Sequence, residues 1–205
     1  MSSTGRSTGI LNVVAVGDEL VAGLGDARGQ GWVGRVAART LSEGHNLRMF
    51  GLGVPSEGTA ALSSRWYGEA SRRYATSADN RLIIGLGCAD LGEGLSLARS
   101  RLNLANLLDE ALSKEVSTFV VGPTPTVHDE ANRRIQELSA GFADVASRRG
   151  VNYVDTFTPL LNHEQWRTDV GASDIGLPAQ AGYGLLAWLV LNRGWYSWLG
   201  LPSPA

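Results

Sequence analysis

The 205-residue chain carries few side chains that could perform chemistry. Glu19 and Asp174 are carboxylates, and two carboxylates in one pocket can share a proton or bind a cation. Cys88, the lone cysteine, could attack a carbonyl if an imidazole activated its thiol, but no histidine is adjacent to it in the sequence. His128 and His163 lie in segments that we expect to be loops. The chemistry therefore depends on the elements that bring these groups together.

Short apolar runs rich in β-branched residues recur along the chain, each followed by a segment long enough for a helix. The first run, Leu11–Val16, stops at Gly17 and has the continuous apolar character of a strand buried on both faces. This alternation predicts an α/β domain with a five-stranded parallel sheet. The four further strands are expected at Asn46–Leu52, Arg81–Leu86, Ser117–Val121 and Val151–Val154.

Helical periodicity is clearest before Gly150, which we expect to be a helix C-cap. The apolar residues of this predicted helix are Ile135, Leu138, Phe142 and Val145. Trp32–Leu41 and Leu102–Leu112 predict two more helices. Ligands of a parallel sheet bind at the carboxyl ends of its strands, so we expect the site in the loops that start there. These loops begin at Gly17, Gly51, Gly85, Gly122 and Asp155.

The composition of the chain argues against a nucleic-acid-binding protein and against a membrane-spanning one. The net charge is −2 and the 18 basic residues are dispersed, so we expect no nucleic-acid partner. The most apolar stretch, Leu185–Leu191, is much shorter than the roughly 20 residues of a membrane span. A lone cysteine excludes an intramolecular disulfide, and Met1–Gly9 lacks the apolar core of a signal peptide, which together predict a cytoplasmic protein. We expect residues 1–9 to be a flexible N-terminus and residues 10–205 to form one domain.

Four loop segments resemble, in the same order, the sequence blocks of the SGNH (GDSL-type) hydrolases. Residues 16–26 (VGDELVAGLGD) resemble the block that carries the nucleophilic serine, and residues 51–59 (GLGVPSEGT) the block whose glycine donates to the oxyanion. Residues 85–91 (GLGCADL) are similar to the G-x-N-D block, and residues 174–183 (DIGLPAQAGY) to the block with the catalytic Asp and His. The resemblance spans about Val13 to Leu191. It implies a three-layer α/β/α, flavodoxin-like fold.

Several residues at the family's catalytic positions differ in this chain. Glu19 stands at the position of the serine, Ala89 at that of the asparagine and Leu177 at that of the histidine, whereas Asp174 and Gly53 match the family. A carboxylate is not a hydroxyl nucleophile, leucine cannot move a proton, and alanine has no side-chain donor for an oxyanion. Ordinary Ser-His-Asp esterase activity is therefore not expected.

Three functions remain open from the sequence. The first is a non-hydrolytic pseudoenzyme that binds a small molecule or a protein partner in the former active-site cleft, with Asp18, Gly53, Ala89 and His163 as candidate binding residues and without cofactor or metal. The second is an ester hydrolase or acyltransferase with a rearranged site built from Glu19, Asp174 and His163. An unrelated flavodoxin-like function is the third alternative.

Other residues have simpler interpretations. By analogy with the family, Asp18 and Asp90 hold loops together. We interpret His128 and His163 as exposed or hydrogen-bonded loop residues, His45 as the start of a strand, and Cys88 as a small packed residue. The C-terminal tail is rich in aromatic side chains, which either complete the core or form a homodimer or partner surface. Its large apolar residues are Trp188, Trp195, Tyr196, Trp198 and Leu201.

Overall fold

The computed structural model describes residues 9–204. The N-terminus predicted to be flexible therefore lies, apart from Gly9, outside the described residues. Five parallel strands form one sheet, as predicted from the apolar runs, and their order is β2-β1-β3-β4-β5. The strands are β1 (Ile10–Gly17), β2 (Leu47–Gly53), β3 (Ala78–Gly85), β4 (Ser117–Val121) and β5 (Asn152–Val154).

Helices connect the strands and cover both faces of the sheet. No helix of residues 9–204 is long and apolar enough to cross a membrane. After α9 the chain continues as a π-helical segment, Leu191–Trp195, which is broken at Arg193 and Gly194. The helices are α1 (Glu19–Ala22), α2 (Gly31–Ser42), α3 (Thr59–Ala70), α4 (Ala89–Gly92), α5 (Leu97–Ser113), α6 (Asp129–Ser147), α7 (Phe157–Leu160), α8 (Glu164–Gly171), α9 (Gln180–Val190) and α10 (Tyr196–Leu199).

The central strand β1 explains why this sequence forms a three-layer structure. Val13 and Ala15 belong to one apolar core, whereas Val14 and Val16 belong to the core on the opposite face. All four are fully buried. Because neither face of β1 meets water, its sequence is continuously apolar rather than alternating. Residues of α2 and α9 build the first core, and residues of α3, α5 and α6 build the second.

Three local expectations were wrong. Helix α6 ends at Ser147 with Arg148 as its C-cap, and Gly150 lies in the turn beyond it, where its N–H donates to Ser147 O at 3.1 Å. Helix α5 begins five residues earlier than predicted, because Ser96 caps it by accepting a hydrogen bond from Arg99 N. His45 lies before β2 rather than at its first residue.

The aromatic tail packs mainly against its own domain. Trp195 is fully buried, and its Nε1–H donates to Thr40 Oγ1 at 2.9 Å. Trp198 packs on the ring of Phe119 with 5.0 Å between centroids. Trp188 instead leaves 60% of its surface exposed. The tail therefore contributes to the core, and Trp188 is its aromatic residue with most surface left for a partner.

Candidate functional site

The carboxyl ends of three strands meet in register at Gly17. This residue pairs with Gly53 of β2 on one side and with Gly85 of β3 on the other. Strand β2 lies on one side of β1, and β3, β4 and β5 lie on the other side. The loops after β1 and β3 therefore lead to opposite sides of the sheet and diverge at Gly17. Ligands of open parallel sheets bind in the crevice at such a point. The loops around Gly17 therefore form the candidate site.

Glu19 is the first residue of α1 and lies at the opening of this crevice. The residue is half-buried, and its Oε2 accepts a hydrogen bond from the backbone N–H of Ser56 at 2.7 Å. Ser56 belongs to the loop after β2 and has a φ of 59°, an uncommon conformation for a residue with a side chain. The carboxylate thus links the loops after β1 and β2. Within residues 9–204 it forms no ion pair with an arginine or lysine.

Asp18 is the buried acid of the site, with 3% of its surface exposed. As the N-cap of α1, its Oδ1 accepts a hydrogen bond from Leu20 N at 3.0 Å. Burial, and then the neighbouring charge of Glu19, raise the pKa of Asp18 to about 7 against the pull of backbone N–H groups. Asp18 was expected only to hold a loop in place. Its carboxyl also titrates near neutral pH.

Two glycines make the close packing around Asp18 possible. A Cβ on Gly87, in the loop after β3, would overlap Asp18 Oδ2. A Cβ on Gly53 would overlap Asp18 O and the N–H of Ala22. The loops after β2 and β3 can thus approach α1 only without side chains at these positions. Ala89, the first residue of α4, adds a half-buried methyl group nearby in sequence and no hydrogen-bond donor.

Asp90 holds two loops together, as expected. The residue is 2% exposed, and its carboxylate accepts hydrogen bonds from Thr59 N at 2.6 Å and Thr59 Oγ1 at 2.8 Å. Asn103 Nδ2 donates to the same hydroxyl at 2.9 Å. These contacts join the loop after β3 to the start of α3 and to α5. Asp90 is therefore occupied by structural contacts.

Asp174 and Leu177 lie in the loop between α8 and α9. Asp174 is exposed, and within residues 9–204 no hydrogen bond joins it to Glu19, whose Oε2 accepts from Ser56 N. Leu177 is half-buried beside Gly25, and its N–H donates to Ser173 Oγ at 3.1 Å. Residues 9–204 contain no group of three or more His, Cys, Asp or Glu residues that could hold a metal ion.

The remaining nucleophile and base candidates are not assembled into a catalytic pair. His163 precedes α8, His128 precedes α6, and both are exposed. In the described part of the chain, neither imidazole forms a hydrogen bond with Glu19 or Cys88. Cys88 is an exposed residue, so its interpretation as a small packed side chain was wrong. The protein around its sulfur nevertheless desolvates the thiol, and this, with the charges of Asp18 and Glu19, raises the pKa of Cys88.

Sequence reasoning missed the ion pair beneath the site. Glu57 is buried and forms a two-bond ion pair with Arg65 of α3, with 2.5 Å between Glu57 Oε2 and Arg65 Nη2. Arg65 also donates to the carbonyl oxygens of Leu52, at 2.9 Å, and Gly17, at 3.3 Å. The pair therefore joins the carboxyl ends of β1 and β2. The eight-residue separation of Glu57 and Arg65 corresponds to no recognisable motif.

The cavity found below the crevice is small. A cavity of about 10 Å³ lies between Asp18, Leu86, Gly122 and Thr124, roughly the room that one water molecule requires. Around the opening, the loops expose apolar side chains. Leu24 is 40% exposed, Val54 42% and Ile175 64%. The arrangement offers a rim with carboxylates and apolar residues rather than a deep pocket.

Comparisons with known proteins agree with this architecture. A family model described as GDSL-like lipase/acylhydrolase matches residues 15–185. A lipase/acylhydrolase from Enterococcus faecalis is 21% identical, with a TM-score of 0.74 over 95% of this chain and 100% of its own. TesA is 22% identical, with a TM-score of 0.74 over 89% and 97%. AlinE4, an SGNH-hydrolase family esterase, is 24% identical, with a TM-score of 0.67 over 98% and 100%. No curated protein matches the sequence.

Proposed function

Because the chain belongs to the GDSL-like lipase/acylhydrolase family, as its loop sequences predicted, we propose that it is a non-hydrolytic member that binds another molecule at the carboxyl edge of its sheet. The observation that carries this proposal is the hydrogen bond from Ser56 N to Glu19 Oε2. The residue at the position of the family's nucleophile is a carboxylate that holds a neighbouring loop. This role requires no proton transfer and no covalent intermediate.

The chemistry of ester cleavage supports the same conclusion. A carboxylate at residue 19 places negative charge beside the oxygen that becomes negative in the transition state. Leu177, at the position of the histidine, has no group that takes up or returns a proton. In a well-studied serine protease, loss of either the nucleophile or the histidine lowers kcat by about a millionfold. This chain lacks both the serine nucleophile and the histidine, so the Ser-His-Asp mechanism of acyl transfer is not available to it.

The rim supports binding. Leu24 and Val54 are exposed apolar residues whose backbone N–H groups donate to Glu19 O and Gly17 O, and Ile175 is exposed in the loop that carries Asp174. Exposed apolar residues grouped in this way are typical of interaction surfaces. Because the enclosed cavity holds about one water molecule, the bound molecule would lie across the rim. A small molecule and a protein partner both fit this description.

An esterase assay with nitrophenyl acetate and butyrate tests the absence of hydrolysis. We expect no turnover above buffer from the wild-type protein. The variant Glu19→Ser/Ala89→Asn/Leu177→His should gain turnover, and Glu19→Ser/Leu177→His, which lacks the amide donor, should gain less. Wild-type turnover that is lost in Glu19→Ala, Asp174→Ala or His163→Ala would instead establish the rearranged hydrolase or acyltransferase site.

A thermal-shift screen with acyl and nucleotide ligands tests the binding surface. A ligand at about 100 times its Kd stabilises a protein by about 2.7 kcal/mol. The response should be lost in Val54→Asp. It should persist in the matched control Leu112→Asp, since Leu112 is 70% exposed near the end of α5, at the other edge of the sheet. A response that Val54→Asp leaves intact would place binding elsewhere.

The lone cysteine supports a cytoplasmic location, and exposed Trp188 supports a homodimer through the tail. Both are part of this proposal. Sedimentation of the wild-type protein and Trp188→Ser tests the dimer, because the substitution removes the large exposed aromatic surface of α9. A wild-type protein that sediments as a monomer at high concentration would exclude it.

A further inference from the structure

The loop after β2 begins with a tight turn at residues 54–57 (VPSE). Glu57 N–H donates to Val54 O at 3.2 Å, which closes the turn. Proline at the second position and a φ of 59° at Ser56, in the third, form the pattern of a type II turn. The third position of such a turn normally holds glycine or asparagine. Ser56 therefore has a left-handed conformation that is costly for a residue with a side chain.

Both ends of this turn are fixed by strong contacts. Val54 N–H donates to Gly17 O at 2.7 Å. At the other end, the buried carboxylate of Glu57 pairs with Arg65. The two residues between these ends are exposed, so no packed side chain surrounds them. The peptide group at the centre of the turn can therefore rotate while the ends stay in place.

Rotation of the peptide group between Pro55 and Ser56 would convert the type II turn into a type I turn. In the type I form Ser56 has a negative φ, which residues with side chains adopt readily, so relief of strain favours this form. The hydrogen bond from Ser56 N–H to Glu19 Oε2, 2.7 Å long, favours the type II form, because rotation turns the N–H away from the carboxylate. A hydrogen bond to a charged group and a left-handed conformation change the free energy by similar amounts. The two forms are therefore close in free energy.

We propose that the peptide group between Pro55 and Ser56 is a two-state switch at the rim, and that Glu19 holds it in the type II form. Loss of the Glu19 contact would release Ser56 to a negative φ and turn the carbonyl of Pro55 to the side that the N–H occupies now. A molecule that binds the Glu19 carboxylate would thus change which backbone group the rim presents. That regulatory role rests on the binding function proposed for the rim, whereas the two states of the turn do not.

Nuclear Overhauser effects in the isotope-labelled full-length protein report the state of the turn. The Hα of Pro55 lies close to the amide proton of Ser56 in a type II turn and farther from it in a type I turn. We expect a strong effect between these protons in the wild-type protein. It should be weak in Glu19→Ala, where relief of the left-handed conformation favours the flipped form about tenfold. The double variant Glu19→Ala/Ser56→Gly should regain much of the strong effect, because glycine at the third position favours a type II turn.

Asp155→Ala is the matched control for Glu19→Ala. Asp155 Oδ1 also accepts a hydrogen bond from a backbone N–H at the carboxyl edge of the sheet, that of Thr158 at 3.0 Å, but it does so in the loop after β5. The effect between Pro55 and Ser56 should remain strong in this variant. A weak effect in Asp155→Ala would show that the turn responds to any loss of a carboxylate at this edge, which would overturn the role of Glu19.

A double-mutant cycle in Tm tests the switch independently of the NMR signals. Ser56→Gly should raise Tm more in the wild-type background than in Glu19→Ala, where Ser56 has already left the left-handed conformation. The entropy that glycine adds to the unfolded chain is the same in both backgrounds, so it cancels in the comparison. A turn with a single state would show equal shifts in both backgrounds.

Three further outcomes would overturn the proposal. A weak effect in the wild-type protein would show that the turn is not type II in solution. A strong effect that Glu19→Ala leaves unchanged would show that the ends alone fix the turn. Equal shifts of Tm in the two backgrounds would exclude a second state. None of these outcomes changes the expected ester and thermal-shift results, and ester turnover by the wild-type protein would contradict the proposed function without changing the state of the turn.

Discussion

The buried carboxyl of Asp18 should make the stability of this protein fall as the pH rises. Its pKa is about 7 in the folded protein, whereas its ordinary value is 3.8. In the pH range between these values the folded state holds a proton that the unfolded state has released, so raising the pH favours unfolding. The stabilisation is complete below about pH 4 and is lost as the pH rises through 7. The rise in pKa corresponds to about 4 kcal/mol.

The substitution Asp18→Asn should remove this pH dependence. Asparagine is as good an N-cap as aspartate, so its side-chain oxygen can still accept from Leu20 N. It has no charge to lose solvation and none to repel Glu19. At pH 8 the variant should be more stable than the wild-type protein by about 4 kcal/mol, and near pH 4 the two should converge. Urea unfolding from pH 4 to 8 measures the difference.

Asp174→Asn is the matched control for this prediction. It removes one negative charge from the exposed loop before α9, where no buried carboxyl is involved. Its unfolding free energy should follow that of the wild-type protein across the pH range. A difference between Asp18→Asn and wild type that is the same at pH 4 and pH 8, or a variant that is less stable at pH 8, would refute the reasoning.

Three further predictions concern the same site. Glu57→Gln should lower the free energy of unfolding by about 1–3 kcal/mol in urea, because it removes the buried carboxylate from Arg65 and leaves the guanidinium with Glu69 as its charged partner; an unchanged free energy of unfolding would contradict this. Gly87→Ala should cost about 1–3 kcal/mol in the same assay, since its Cβ would overlap Asp18, and an unchanged midpoint would contradict the close packing. Cys88 should react slowly with a disulfide reagent at pH 7 and faster in Asp18→Asn, because removal of a nearby negative charge lowers the thiol pKa; equal rates would exclude the electrostatic cause.

The strands were predictable where both faces are buried. Ser117–Val121 was placed with its observed bounds, and Leu11–Val16 missed only the terminal residues of β1. At the less buried start of β3 the pattern was insufficient. The strand begins at Ala78 rather than Arg81, because Asn80 is fixed by contacts with Ala75 and Asn12 that its polarity does not indicate. Apolar runs predict the buried part of a strand. They do not predict residues whose polar side chains are held by tertiary hydrogen bonds.

The sequence predicted that the candidate site lies at the carboxyl ends of the strands. It did not predict which groups the side chains of the site contact. Glu19 was expected at the carboxyl edge because it follows an apolar strand. Its partner is a backbone N–H 37 residues away, and every residue except proline carries such a group, so no sequence pattern identifies it. Asp174, which the family blocks place at the same pocket as Glu19, is an exposed residue of the loop before α9.

The sequence by itself determined the α/β architecture and the side chains that stand at the strand ends, including the carboxylate and leucine at the positions of a serine and a histidine. Only the tertiary structure decided what those side chains contact and how one of them is charged. Asp18 reads as an ordinary acid in the sequence, yet the loops that enclose it remove water, and this, with the charge of the adjacent Glu19, raises its pKa to about 7. The burial of a carboxyl depends on atoms distant in the chain, so its loss of solvation exists only once the chain has folded.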